Sequence, residues 1–189
     1  MVKALPSLPE GVERYLFIDV EASGLHADSY PIEIGWCGLD LASDSFLIEP
    51  HRSWGDEGWS YMSERVHGLS RDALVRDGVD VITAARRLNE IASGRTIVSD
   101  HPEHDFAWIG QLYLAANLTC EFTVGDVAEL ERRLALMSGL LPGEVEALQE
   151  RVKQAFPHPH RAAADARQAA ALVLCLAVPD ELEAIIAAA

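Results

Sequence analysis

Four acidic residues and one histidine sit along this chain in settings suited to metal-assisted chemistry. Asp19 and Glu21 lie in F-I-D-V-E-A-S-G-L, Asp105 in V-S-D-H-P-E-H-D-F-A-W-I, and His160 with Asp165 in H-R-A-A-A-D-A. Carboxylates can hold two divalent cations, and an imidazole can take a proton from water. A phosphodiester resists attack because its own negative charge repels a nucleophile. A metal pair offsets that charge, makes hydroxide available and steadies the leaving oxygen of an in-line displacement. Together the five residues have the inventory of a two-metal nuclease site.

The elements that must position them can be read from patterning. Tyr15 to Ile18 is a short continuous apolar run, as expected of a buried central strand, and Asp19 and Glu21 end it. Alternate residues of a strand share a face, about 6.6 Å apart along the axis, so both carboxylates can point into one site. Taken alone, a D-x-E at a strand end is more often a pair of solvated acids. The turn Ala22-Ser23-Gly24-Leu25 is built of small residues that let a ligand approach the backbone. Pro31 to Leu39 and Ser43 to Ile48 read as two further strands, giving an antiparallel meander that begins with the acid-bearing strand. Glu33, inside the second, reads as a buried, hydrogen-bonded structural carboxylate rather than a ligand.

The middle of the chain turns helical. Asp80 caps a helix predicted over 81–92, and Gly94 ends it; Thr96-Ile97-Val98 form a buried strand leading to Asp100 and Asp105. A helix is expected over 106–116, which leaves Asp105 at its start, as metal ligand or as cap. Pro157 and Pro159 hold His158 and His160 in an extended segment, and an Ala-rich helix follows from Arg161 to Val178. Five helical residues turn about 500°, which would leave His160 and Asp165 roughly 140° apart if both were helical. His160 therefore fits just ahead of the helix, on a loop, with Asp165 inside it. Asp165 is the sole acid between Arg161 and Val178. It calls for a partner, either a metal or Arg161 at i−4.

The combination resembles the DEDDh family of 3′–5′ exonucleases, which includes the proofreading subunit of bacterial replicative polymerases and oligoribonuclease. Asp19 to Leu25 matches the first family motif, with Ile32-Glu33-Ile34-Gly35 on the next strand. Val66 to Leu69 (V-H-G-L) matches a recurrent substrate-side segment, Val98 to Asp105 the second motif, and His160 with Asp165 the third. The resemblance covers about residues 14 to 177 and rests on the order and spacing of the pieces. It implies an α/β, ribonuclease H-like mixed sheet with its first three strands antiparallel and helices packed on it. It also implies that Asp19, Glu21, Asp105 and Asp165 hold two Mg²⁺ or Mn²⁺ ions, and that His160 is the general base beside Glu21. Ala22, Ser23, Gly24, Leu25, His67, His101 and His104 are then the substrate-side candidates. The second motif departs from the family pattern: His101 stands where an amide is usual and His104 where an aromatic is usual. That bears on base stacking and sugar recognition, and two histidines near a carboxylate are more often solvated rim residues.

Composition sets outer limits. A chain of 189 residues is long enough for one domain with a full core, with residues 1–11 expected as a loose N-terminal tail. No run is apolar enough to span a membrane, and no signal peptide is visible. Cys37, Cys120 and Cys175 lack zinc spacing and read as reduced, mostly buried thiols of a cytoplasmic protein. Trp54 and Trp59 read as partly buried loop anchors, or as an interface or substrate loop. The net charge of −15 argues against an extended nucleic-acid track, since phosphate affinity comes from basic residues. Arg132, Arg133, Arg151, Lys153 and Arg161 are the local basic groups of the C-terminal third. The expectation is a metal-dependent 3′–5′ exonuclease gripping single-stranded 3′ ends of DNA or RNA, as short oligonucleotides or through a delivery partner, with a homodimer left open. A non-enzymatic nucleic-acid-binding or regulatory module and a phosphodiesterase for small nucleotides are the alternatives.

Overall fold

The computed structural model describes residues 8–187 and 189. A five-stranded mixed sheet in the order β3-β2-β1-β4-β5 organises it. β1 (Tyr15–Ala22), β2 (Pro31–Cys37) and β3 (Ser43–Leu47) form the antiparallel meander, and β4 (Thr96–Ser99) and β5 (Val124–Asp126) add on the other side of β1 in parallel. This is the α/β arrangement that the resemblance implied.

The acid-bearing strand is covered on both faces, which is why it reads as a continuous apolar run. Leu16, Ile18 and Val20 pack with Ile34 and Ile97 against α3 (Val81–Ala92) and α4 (Pro102–Ala116). Phe17 points the other way, into a cluster with α5 (Val127–Met137), α6 (Pro142–Ala155) and α7 (Ala162–Ala177). Strand alternation then puts Asp19 and Glu21 in the same row as Phe17, on the α7-facing side. Gly35 lets α7 come close: a Cβ there would lie 2.2 Å from both the carbonyl carbon of Ala162 and the nitrogen of Ala163. The start of α7 thus rests on the backbone of β2.

Two short helices, α1 (Tyr61–His67) and α2 (Arg71–Asp77), close over a third cluster of Tyr30, Ile32, Trp59, Leu69 and Leu74. Both tryptophans are loop anchors: Trp54 stacks on Tyr30 at 4.8 Å, and Trp59 Nε1 donates to Glu64 at 2.9 Å. A last short helix, α8 (Leu182–Ile186), ends the fold.

The helix over 81–92 forms as expected, with Asp80 accepting from the amides of Ile82 and Thr83 at 3.0 Å. The helix expected from Phe106 instead begins at Pro102, because a proline at the first helical position needs no partner for an amide it lacks. Of the tail expected over 1–11, residues 1–7 lie outside the described residues, while Leu8 packs against the core. Cys37 and Cys175 are buried, Cys120 is half-buried, and all three are free. Among the described residues no helix is long and apolar enough to cross a membrane.

Candidate active site

Three chain segments bring their acids to one place: the end of β1 and the first turns of α4 and α7. The result is a cavity of about 530 Å³ whose walls include Asp19, Glu21, Asp100, Asp105 and Asp165. Carboxylate oxygens of Asp19, Glu21 and Asp165 lie within 4.8 Å of one another, and so do those of Asp19, Asp100 and Asp105. Asp19 is common to both groups. The four acids named from the sequence therefore converge, and Asp100, whose role the sequence left open, joins them.

Burial makes this convergence electrostatically costly. Asp105 and Asp165 are only 2% and 4% exposed, so neither is the surface acid that a helix cap or an Arg161 pair would require. Desolvation and then mutual repulsion with Asp105, Glu21 and Asp165 hold the Asp19 carboxyl well above the usual range. Burial raises Glu21 to about 7, helped by the charges of Asp165 and Glu33. Burial likewise raises Asp105 and Asp165 to about 7, opposed at Asp105 by the Ser99 hydroxyl and at Asp165 by His160. Such a set is stable in its charged form only beside cations.

The residues fit divalent ions on a specific observation. Both oxygens of Asp165 are buried without a hydrogen-bond partner. A buried carboxylate left in that state costs several kcal/mol by order of magnitude unless something positive meets it. Asp19, Glu21, Asp105 and Asp165 supply oxygen donors of the kind Mg²⁺ and Mn²⁺ prefer, with Asp100 in reach of the Asp105 side.

Asp105 is held differently. It sits in the first turn of α4, its amide donates to His101 O at 3.1 Å, and its carboxylate accepts from the Ser99 hydroxyl. Asp165 is in the first turn of α7, and its amide donates to Arg161 O at 3.1 Å. Arg161 does not reach for Asp165. It turns to Glu33, donating through Nε and an Nη to the two carboxylate oxygens at 2.9 Å each. Glu33 also accepts from Ser45 Oγ and from the Ala162 amide, so it is the buried structural carboxylate expected, and it ties the start of α7 to β2.

His160 stands just ahead of α7, exposed on the cavity wall, as the loop position required. Its φ of 55° is left-handed, a conformation that costs a non-glycine residue of order 1–3 kcal/mol unless its neighbours hold it. The Glu33–Arg161 pair and the docking of Ala162 on Gly35 are the neighbours that do so. His158 lies on the same wall, with Nδ1 3.2 Å from Asp165 Oδ2.

The substrate-side candidates divide. Ala22, Leu25, His67, His101 and His104 line the cavity; Ser23 and Gly24 do not. Ser23 is wholly buried and structural, its hydroxyl donating to Gly58 O at 2.7 Å and accepting from the Tyr30 amide at 2.9 Å. His67 Nδ1 accepts from the Leu69 amide at 3.0 Å, which leaves Nε2 as the protonated nitrogen, buried and unpartnered. Burial lowers its pKa, so it is a neutral donor. His101 and His104 are exposed rim residues, and His104 stacks on Trp108 at 5.8 Å. Of the apolar part of the rim, sequence reading named Leu25 and, within V-H-G-L, Val66, but missed Met62 and Trp108. Met62 and Val66 of α1 and Trp108 of α4 join Leu25, which is 86% exposed, around the opening. The exposed apolar spacing of Met62 and Val66, one helical turn apart, was the available signal. Among the described residues no Lys or Arg lines this cavity. Arg151 pairs with Glu183 and Arg133 lies over the ring of Tyr15, away from the acids.

No protein-family model and no curated protein matches the chain. Solved structures do. The chain is similar to Escherichia coli exonuclease I in a zinc-bound complex with single-stranded DNA, at 16% identity and a TM-score of 0.66, over 90% of this chain and 42% of that one. It is similar to the same enzyme in complex with a dA16 oligonucleotide, at 15% identity and a TM-score of 0.62, over 90% and 42%. Exonuclease I from Methylocaldum szegediense gives 16% identity and a TM-score of 0.63, over 92% and 42%. The chain thus spans less than half the length of these proteins and shares their exonuclease fold.

Proposed function

We propose that this chain is a metal-dependent 3′–5′ exonuclease that releases nucleoside 5′-monophosphates from single-stranded ends. The observation that carries the reading is the meeting of Asp19, Glu21, Asp105 and Asp165 in one cavity, with both Asp165 oxygens unpartnered and His160 on the wall above them. The shared fold with exonuclease I, whose structures include complexes with single-stranded DNA, supports it.

Bound divalent cations would supply charge neutralisation of the phosphodiester and acidification of a water. The residues do the rest. Asp19, common to both acid groups, would bridge; Glu21 and Asp165 would complete one side, and Asp105 the other. His160, exposed on the cavity wall, would accept the proton of the attacking water. His67 would donate Nε2–H to an oxygen of the terminal nucleotide. Leu25, Met62, Val66 and the His104–Trp108 pair would take bases against an apolar surface. With no Lys or Arg among the described residues of the lining, affinity for phosphates falls to the metals, which suits a few nucleotides at an end rather than a long strand.

The test is digestion of matched end-labelled DNA and RNA oligomers, from dinucleotide to long strand, with Mg²⁺, Mn²⁺ or chelator. A 5′-labelled strand should shorten from its 3′ end, a blocked 3′ terminus should slow it, and chelator should stop it. Cuts in a circular single strand would make the enzyme an endonuclease. Hydrolysis confined to dinucleotides would make it a small-nucleotide phosphodiesterase. Binding without cleavage under every metal would make it a binding module.

A further inference from the structure

The cavity wall ahead of α7 carries a second donor set, which shares Asp165 and His160 with the hydrolytic reading and adds His158, a residue that reading does not use. One ligand atom from each of His158, His160 and Asp165 lies within 4.8 Å of the others. The two rings stand nearly perpendicular, with centroids 5.1 Å apart. His158 Nδ1 is 3.2 Å from Asp165 Oδ2, close to the separation of about 3.4 Å between neighbouring donors of a tetrahedral ion with bonds near 2.1 Å. Both histidines are exposed, so their rings can turn to close the remaining gap, and Pro157 and Pro159 stiffen the segment that carries them.

The carboxylate itself points to a ligand. Asp165 is buried, and neither of its oxygens has a hydrogen-bond partner. It belongs to two clusters, one with Asp19 and Glu21 and one with the histidines. The two clusters differ in kind. The first is all oxygen and suits Mg²⁺ or Mn²⁺, whereas two imidazoles and one carboxylate suit a borderline metal such as Zn²⁺, with water in the fourth position.

We infer that His158, His160 and Asp165 form a transition-metal site, taken by Zn²⁺, whose occupancy switches the enzyme off by engaging His160. An imidazole nitrogen that donates its lone pair to Zn²⁺ cannot accept a proton from water. The metal site stands on geometry and donor chemistry alone. The inhibition rests on the proposed function, in which His160 is the base.

The experiment uses the full chain in excess Mg²⁺ and reads two signals. Co²⁺, a coloured stand-in for Zn²⁺, should develop visible ligand-field bands at one equivalent and lose them when Zn²⁺ is added. Zn²⁺ should inhibit cleavage at concentrations far below that of Mg²⁺. His158→Ala should lose the bands, keep Mg²⁺-dependent turnover and need at least about tenfold more Zn²⁺ for half-inhibition. That is the lower end of what losing even an outer-shell partner costs a metal site. If His158→Ala keeps the bands and the Zn²⁺ sensitivity, the ion sits among the carboxylates and the inference fails. It fails also if the wild type develops no bands, or if His158→Ala loses Mg²⁺-dependent cleavage. If the bands depend on His158 but no substrate is cleaved under any condition, the metal site stands and the exonuclease reading falls.

Discussion

The first turns of α4 and α7 are built alike and finished differently. Each puts a buried aspartate at the fourth helical position, its amide bonded back to the N-cap carbonyl at 3.1 Å, and each keeps exposed histidines beside it. At α4 the carboxylate is already met by Ser99, from the end of the strand that leads into the helix. At α7 neither oxygen has a hydrogen-bond partner, the His158 ring stands near at 3.2 Å, and what is fastened is the backbone, through Glu33 and Arg161. The α4 acid is held in place by its own segment. The α7 acid is positioned by a neighbouring strand, and its oxygens carry no hydrogen bond. Asp19, between them, belongs to both acid groups.

The largest expected effect removes what the two ends share. Asp19→Ala should abolish Mn²⁺-dependent cleavage with the circular dichroism of the fold unchanged; wild-type turnover in that variant would sink the two-metal site. Next comes the contrast between histidines. His160→Ala should cost on the order of 10²–10⁴ in turnover with little change in metal affinity. His104→Ala, at the α4 end, should change KM more than kcat. Asp165→Ala should weaken both rate and metal binding, as isothermal titration would show. An unimpaired His160→Ala beside a crippled His104→Ala would reverse the assignment of the two ends.

Fastening can be separated from chemistry. Glu33→Gln should lower kcat with KM nearly unchanged and cost about 1–3 kcal/mol in denaturant unfolding, since Arg161 loses a charged acceptor and the strained His160 turn loses its anchor. Equal kcat in the variant would show that the turn holds itself. Ser99→Ala removes the hydroxyl that lowers the Asp105 pKa, so the acid limb of the metal-dependent rate should move to higher pH; no movement would show that Ser99 does not tune Asp105.

The smallest effect is on stability. The acids at Asp19, Glu21, Asp105 and Asp165 have folded pKa values above the ordinary carboxylate range, so the folded state holds protons that the unfolded chain has released. Without metal, stability should therefore fall as pH rises from about 4 to about 7 and stay low above that. Asp19→Asn should raise the metal-free Tm at pH 8 by roughly 2–4 °C, the shift that 1 kcal/mol gives a chain of this size, and leave it unchanged at pH 4. An equal shift at both pH values would trace the effect to packing rather than charge.

Much of the frame was legible in the sequence because it is local. The apolar run before Asp19, the Asp80 cap and the Ala-rich stretch after Arg161 each specify an element within a few residues, and the meander follows from short connections between strands. The start of α4 was misread because Asp100-His101-Pro102-Glu103-His104 is polar, and polarity hid a helix that a proline at its first position begins. The helices α5 and α6 and the short strand β5 escaped because their apolar faces are defined by α7 and β4, which lie elsewhere in the chain.

By itself the sequence determined which residues could do chemistry and which strand and helix ends carry them, since residue type and periodicity are properties of the chain alone. Only the tertiary structure decided who partners whom. Arg161 could equally have met Asp165, four residues on, but packing places Glu33 against it from β2 and so leaves Asp165 without the arginine. Ser23, a ligand-side candidate by its motif, is spent on fastening a turn, while Met62 enters the cavity from α1, a segment that nothing local ties to the acids. Burial and pairing depend on what folding brings from far along the chain, and those two quantities tie Glu33 to Arg161 and leave the Asp165 oxygens without a hydrogen bond.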